Sequence, residues 1–124
     1  MSEAVCVLIA DDESQLLRLL VRLFEKQGYR VYSALDAVEA WTVFEAHRNE
    51  IDVVLLDVLI RPSGVAPLLS RMQSVREDLG VVLTSGAQLD DDLRASLDAS
   101  GGVFLYKPFS PATAFEAIDR VTKG

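Results

Sequence analysis

Five short apolar runs rich in β-branched residues recur along the chain: Val5–Ala10, Val31–Ala34, Val53–Leu56, Val81–Leu83 and Val103–Tyr106. Continuous runs of this kind predict strands covered on both faces, because a strand with one wet face alternates polar and apolar residues. Between the runs the apolar residues change to helical spacing. Leu16, Leu20, Leu23 and Phe24 predict a first helix that stops at Gly28, where left-handed backbone ends it. A second opens with Asp36 as N-cap and Glu39 three residues on, carries Ala37, Ala40, Trp41 and Phe44 on one stripe, and ends near His47. The turn formers Arg61, Pro62, Ser63 and Gly64 precede a third helix from about Ala66 to Arg76. Leu89, Leu93 and Leu97 mark a fourth, with Asp90, Asp91 and Asp92 in its first turn at the positive end of the helix dipole. Ser110 followed by Pro111, a cap and a first-turn proline, opens a fifth toward Val121.

Five strands alternating with five helices predict an α/β fold: a doubly wound, five-stranded parallel sheet with helices on both faces, in the flavodoxin-like strand order 2-1-3-4-5. At 124 residues the chain reads as one domain, 1–124, without repeat or linker composition. Its hydrophobic share of 50% suits a packed domain rather than a disordered one. The net charge of −7, with no basic cluster to offset it, argues against binding nucleic acid or an anionic membrane surface. The single cysteine, Cys6, cannot form an internal disulfide, which fits a reducing, cytoplasmic setting. The first apolar run has no basic segment before it and meets Asp11, Asp12 and Glu13 directly, unlike a signal peptide or a membrane span.

Open α/β sheets bind ligands outside the carboxyl ends of their strands. There the sequence puts Asp11 and Asp12 after strand one, Asp57 after strand three, Thr84 and Ser85 after strand four, and Lys107 after strand five. Strands one and three are neighbours in the expected order, so the three acids converge, and they cannot all stay ionised without a cation. Hard oxygen ligands in an open cleft suit Mg²⁺, which keeps several waters and recruits phosphate oxygens. Lys107 and the Ser85 hydroxyl would meet those oxygens, and Asp57, the lone acid on the central strand, is the natural nucleophile toward phosphorus. With its charge assigned to phosphate, Lys107 is not expected to support the fold. Taken singly, Asp11 and Asp12 read as helix caps, Lys107 as a solvated strand end and Ser85 as a satisfied hydroxyl. Asp57 is harder to dismiss, since an acid in the apolar run Val53–Ile60 is costly unless paired or metal-bound. Cys6, Trp41 and His47 read as structural.

The ordered set is similar to the receiver domains of two-component response regulators. It comprises the acid pair Asp11 and Asp12, Asp57 closing "DVVLLD", Ser85 in "VVLTSG", and Lys107, Pro108 and Phe109 as "KPF". The resemblance covers essentially the whole chain, and the interval from Ser85 to Lys107 selects Ser85 over Thr84. It implies that Asp57 accepts a phosphoryl group from a histidine kinase or a phosphotransfer protein. Mg²⁺ would be held directly by Asp12, Asp57 and the Leu59 carbonyl, and through water by Asp11. Lys107 would hold the phosphoryl oxygens, with a cis bond to Pro108, while Ser85 and the aromatic Phe104 would switch position and change the surface of helix four, strand five and helix five. Such a domain catalyses at most its own phosphorylation and dephosphorylation. The chain departs from the family where Met-Pro is usual, having Ile60 and Arg61, with Pro62 one place late and Gly64 one place early. At the positions flanking water's approach it has Leu59 and Ala87, neither of which can orient a water, so the phosphoryl group is expected to decay slowly. "LTSG", "KPFSP" and the end at Gly124 also resemble receivers at the C-termini of hybrid histidine kinases. The rival readings are a flavodoxin-like or phosphatase-type enzyme and a receiver-like interaction module that is never phosphorylated. The enzyme readings lack a phosphate loop after strand one and a second acid at Leu59.

Overall fold

The computed structural model describes residues 4–122. Ten elements alternate: β1 (Cys6–Ala10), α1 (Ser14–Lys26), β2 (Arg30–Ala34), α2 (Ala37–His47), β3 (Val53–Asp57), α3 (Val65–Val75), β4 (Gly80–Ser85), α4 (Asp91–Ala99), β5 (Val103–Tyr106) and α5 (Pro111–Thr122). The strands form one parallel sheet in the order β2-β1-β3-β4-β5, as the alternation of strand and helix patterns predicts. The expected limits of the domain, 1 and 124, lie outside the described residues.

Every residue of β1, β3 and β4 is buried, which explains the absence of polar alternation in those runs, whereas β2 and β5, expected to be covered on both faces, are partly exposed because they are the two edge strands of the sheet. Side chains of alternate strand residues feed two cores. Leu8, Leu56 and Leu83 pack with Phe44 of α2, Met72 of α3 and Leu97 of α4. Ile9, Leu55 and Val82 pack with Phe24 of α1 and Ile118 of α5. Phe24 and Phe44 are fully enclosed, each contributing roughly 1.5–3 kcal/mol of burial. Among the described residues no helix is long and apolar enough to cross a membrane.

The N-caps follow the sequence signals. The Asp36 carboxylate accepts the Glu39 N–H at 2.7 Å and Glu39 in turn accepts the Leu35 N–H, while Ser110 accepts the Thr113 N–H. Gly28 has φ 104°, the left-handed backbone that ends α1. Three local expectations shift. The buried stripe of α1 is Leu17, Leu20 and Phe24, with Leu16 and Leu23 half-buried on its flank, because the pairs Leu16–Leu17 and Leu19–Leu20 leave the helix phase open by one position. Leu89 and Asp90 precede α4 rather than starting it; Asp90 is the N-cap, accepting the Leu93 N–H at 2.8 Å. Trp41 is half-buried rather than core, with the Arg71 guanidinium 4.1 Å above its ring.

Candidate functional site

Ala10 of β1 and Leu56 of β3 are register partners, so the next residue on each chain, Asp11 and Asp57, leaves the sheet side by side. One carboxylate oxygen from each of Asp11, Asp12 and Asp57 lies within 4.8 Å of the other two. Lys107 follows β5, and its N–H donates to the Ser85 carbonyl at 2.8 Å, which fixes the end of that strand against β4. From there its side chain reaches across the carboxyl ends of the strands. Its Nζ donates to Asp11 Oδ2 at 2.8 Å and lies 3.5 Å from Asp57 Oδ2.

Burial sets the electrostatics. The side chains of Asp11 and Asp57 are 4% and 9% exposed, and that of Lys107 is 21% exposed. Burial pushes the Asp57 carboxyl above its ordinary range, and the nearby charges of Asp11 and Asp12 push the same way. The Leu59 N–H, donated to Oδ1 at 3.2 Å, and the Lys107 charge pull it back only in part. Burial also disfavours the charged amine of Lys107, but the hydrogen bond and charge of Asp11, helped by Asp57, outweigh that and raise its pKa. Asp11 is more than a cap: Oδ1 accepts the Glu13 N–H at 2.8 Å to turn the chain into α1, while Oδ2 takes Lys107. Glu13 itself occupies the N-cap position and makes no side-chain cap.

The remaining candidates are placed as follows. Ser85, the last residue of β4, is buried with its Oγ accepting the Ala87 N–H at 3.0 Å, and among the described residues it makes no hydrogen bond to Asp57. Thr84 is the register partner of Asp57 and is buried as well. Phe104 is half-buried, packed on the core beneath α4, with the Arg94 guanidinium 5.8 Å from its ring and Tyr106 edge-on at 4.7 Å. Leu59 turns its side chain outward, 70% exposed. The Lys107–Pro108 and Arg61–Pro62 peptide bonds are both cis. Two residues escaped the sequence reading. Arg61, noted there only as a departure, pairs with Asp12, Nε to Oδ2 at 3.1 Å. Tyr106, exposed beside Phe104, puts an aromatic hydroxyl on the face where Phe104 has none. The charge of Arg61, four residues after an acid that seeks cations, was the available signal; nothing in the sequence marked Tyr106.

A sequence model of the response regulator receiver domain matches residues 7–119. The response regulator GtcR of Aneurinibacillus migulanus is 30% identical over 115 residues, covering 93% of this chain and 45% of that protein. The chain spans a little under half the length of the curated relatives it matches. A response regulator receiver domain protein from Clostridium thermocellum superposes with a TM-score of 0.88 at 24% identity, over 96% of this chain and 94% of that one. A chain of the CheX–CheY–BeF3–Mg complex of Borrelia burgdorferi superposes with a TM-score of 0.85 at 24% identity, over 96% and 90%. At these identities the two solved structures speak for the fold, while the match over residues 7–119 speaks for the family. By that match, this chain belongs to the response regulator receiver domain family, the signalling modules of two-component systems.

Proposed function

We propose that the chain, as one domain over 1–124, is a cytoplasmic phosphoacceptor that takes a phosphoryl group from a histidine kinase or a phosphotransfer protein onto Asp57. The observation that carries this reading is the position of Lys107, whose Nζ lies between Asp11 and Asp57 at the mouth of three converging carboxylates. In the transfer, a carboxylate oxygen of Asp57 bonds to phosphorus as the bond from phosphorus to the donor imidazole nitrogen breaks, and the imidazole keeps the electron pair. Lys107 follows the developing charge on the phosphoryl oxygens, and the Leu59 N–H holds Asp57 in place. Ser85 exchanges its Ala87 N–H contact for a phosphoryl oxygen, and Phe104 moves inward behind it, changing the surface of α4, β5 and α5.

The three carboxylates, with one oxygen each inside 4.8 Å, suit a small divalent ion. Asp12, Asp57 and the Leu59 carbonyl would hold Mg²⁺ directly, with Asp11 acting through water. Bound there, the ion supplies positive charge between the acids and the incoming phosphoryl oxygens. The net charge of −7 favours protein partners over nucleic acid. The test is phosphorylation by a small phosphodonor, with and without Mg²⁺. Labelling of the wild type only with the divalent ion, and none of Asp57→Asn, supports the reading; full labelling of Asp57→Asn sinks it.

A further inference from the structure

The loop after β3 is held in place by its backbone. Ile60 is fully buried in the core beneath α2 and α3, its N–H donates to the Asp57 carbonyl at 3.1 Å, and its own carbonyl accepts the Gly64 N–H at 2.8 Å. The next residue, Arg61, accepts the Ala37 N–H on its carbonyl at 2.7 Å, so the loop is also tied to the first residue of α2. This anchorage leaves the Arg61 side chain at the carboxyl end of β1, where Nε donates to Asp12 Oδ2 at 3.1 Å. The cations divide the acids between them. Lys107 pairs with Asp11 and Asp57 but not with Asp12, and Asp12 has Arg61.

We propose that Arg61 is a resident counter-cation for Asp12, which a divalent ion must displace or bind against, so that it weakens metal binding at the acidic site. The inference rests on the metal site proposed above. With Arg61 and Lys107 in place, three carboxylates carry two compensating charges, and little net negative charge remains to attract a dication. A metal on Asp12 would also stand a few ångströms from the guanidinium, whose repulsion falls directly on the metal-bound state. The grip is light enough to give way. The Arg61 side chain is 83% exposed and Asp12 25%, and exposed ion pairs are screened by water and salt.

The test is calorimetric titration of the metal-free protein with MgCl₂ at low ionic strength. Arg61→Ala should bind Mg²⁺ roughly two- to fivefold more tightly than wild type, the worth of an exposed pair, and the difference should shrink at high salt. Arg61→Lys, which keeps the charge, should stay near wild type. Asp12→Asn separates the two layers of the argument: if it binds Mg²⁺ as wild type does, the assignment of the metal site fails. If Asp12→Asn loses binding while Arg61→Ala binds as wild type or more weakly, the site stands and the role given to Arg61 is overturned.

Discussion

Replacing Lys107 by alanine is expected to destabilise the unphosphorylated protein, against the sequence-level expectation that its charge serves only phosphate. The amine donates to a carboxylate that is 4% exposed and sits 3.5 Å from a second, so its loss leaves Asp11 and Asp57 buried side by side without a cation of their own, Arg61 pairing with Asp12 alone. Removing one partner of a fully buried pair costs ~3–5 kcal/mol, and a hydrogen bond to a charged group ~1.5–3. Lys107 is about one-fifth exposed and its site opens to solvent, so the lower end applies, about 2 kcal/mol. For a domain of this size that is a fall in Tm of about 6–10 °C. The pH dependence follows from the direction of each shift. The pKa of Lys107 is raised in the fold, so its stabilisation is complete below the ordinary lysine value and is lost only as pH rises through the folded value. At neutral pH the full deficit of Lys107→Ala therefore shows. On acidification the deficit should shrink as Asp57, whose pKa burial already raises, takes up a proton. Thermal unfolding followed by circular dichroism in EDTA, at neutral and acid pH, measures both effects, and adding Asp11→Asn to Lys107→Ala should recover part of the loss. A Tm within about a degree of wild type in EDTA at neutral pH would refute the reasoning.

Three further outcomes are expected. Asp57→Asn should raise the Tm of the metal-free protein at neutral pH, because a carboxyl whose pKa is raised by burial destabilises the fold once ionised; the gain should vanish as pH falls through its folded value, and a gain that grows on acidification would contradict this. The aspartyl phosphate should decay slowly, and Leu59→Asn and Ala87→Glu should speed the decay measured without a phosphatase; unchanged or slower decay in both variants removes water access as the control. Gly102→Ala should cost ~1–3 kcal/mol in urea unfolding, since its Cβ would fall 2.3 Å from a Leu97 methyl and 2.9 Å from the Val81 carbonyl oxygen; an unshifted midpoint would show that the turn before β5 yields freely.

The fold was legible because its signals are local and redundant. Five apolar, β-branched runs read as strands, although only β1, β3 and β4 are covered throughout, and the caps at Asp36 and Ser110 fixed two helix starts to the residue. The acids were legible for a topological reason: in a parallel sheet the residues after neighbouring strands must meet, which brings Asp11 to Asp57. Helix phase was less legible in α1, where Leu16, Leu17, Leu19, Leu20 and Leu23 satisfy two overlapping stripes and only packing into the core shared with the sheet and α5 selects Leu17. Long side chains were not legible at all. Lys107 and Arg61 both lie within reach of the acids, but a sequence does not say which acid a flexible cation will meet, and that choice sets the charge balance of the site.

That balance links stability to response. Three carboxylates held this close repel one another when no cation sits among them, and that repulsion adds to burial, the larger cause, in raising the pKa of Asp57 against the pull of the Leu59 N–H and Lys107. A site compensated by two deeply buried cations would be stable and unresponsive, since a ligand would have to break both pairs. One partly buried lysine on Asp11 and Asp57, with one exposed arginine on Asp12, gives unequal holds. The lysine pair is strong enough to keep the strand ends together, whereas the arginine pair is worth little more than thermal energy and yields first. On the metal site proposed above, a divalent ion would therefore meet Asp12 first, the most exposed of the three acids, before the more deeply buried Asp57.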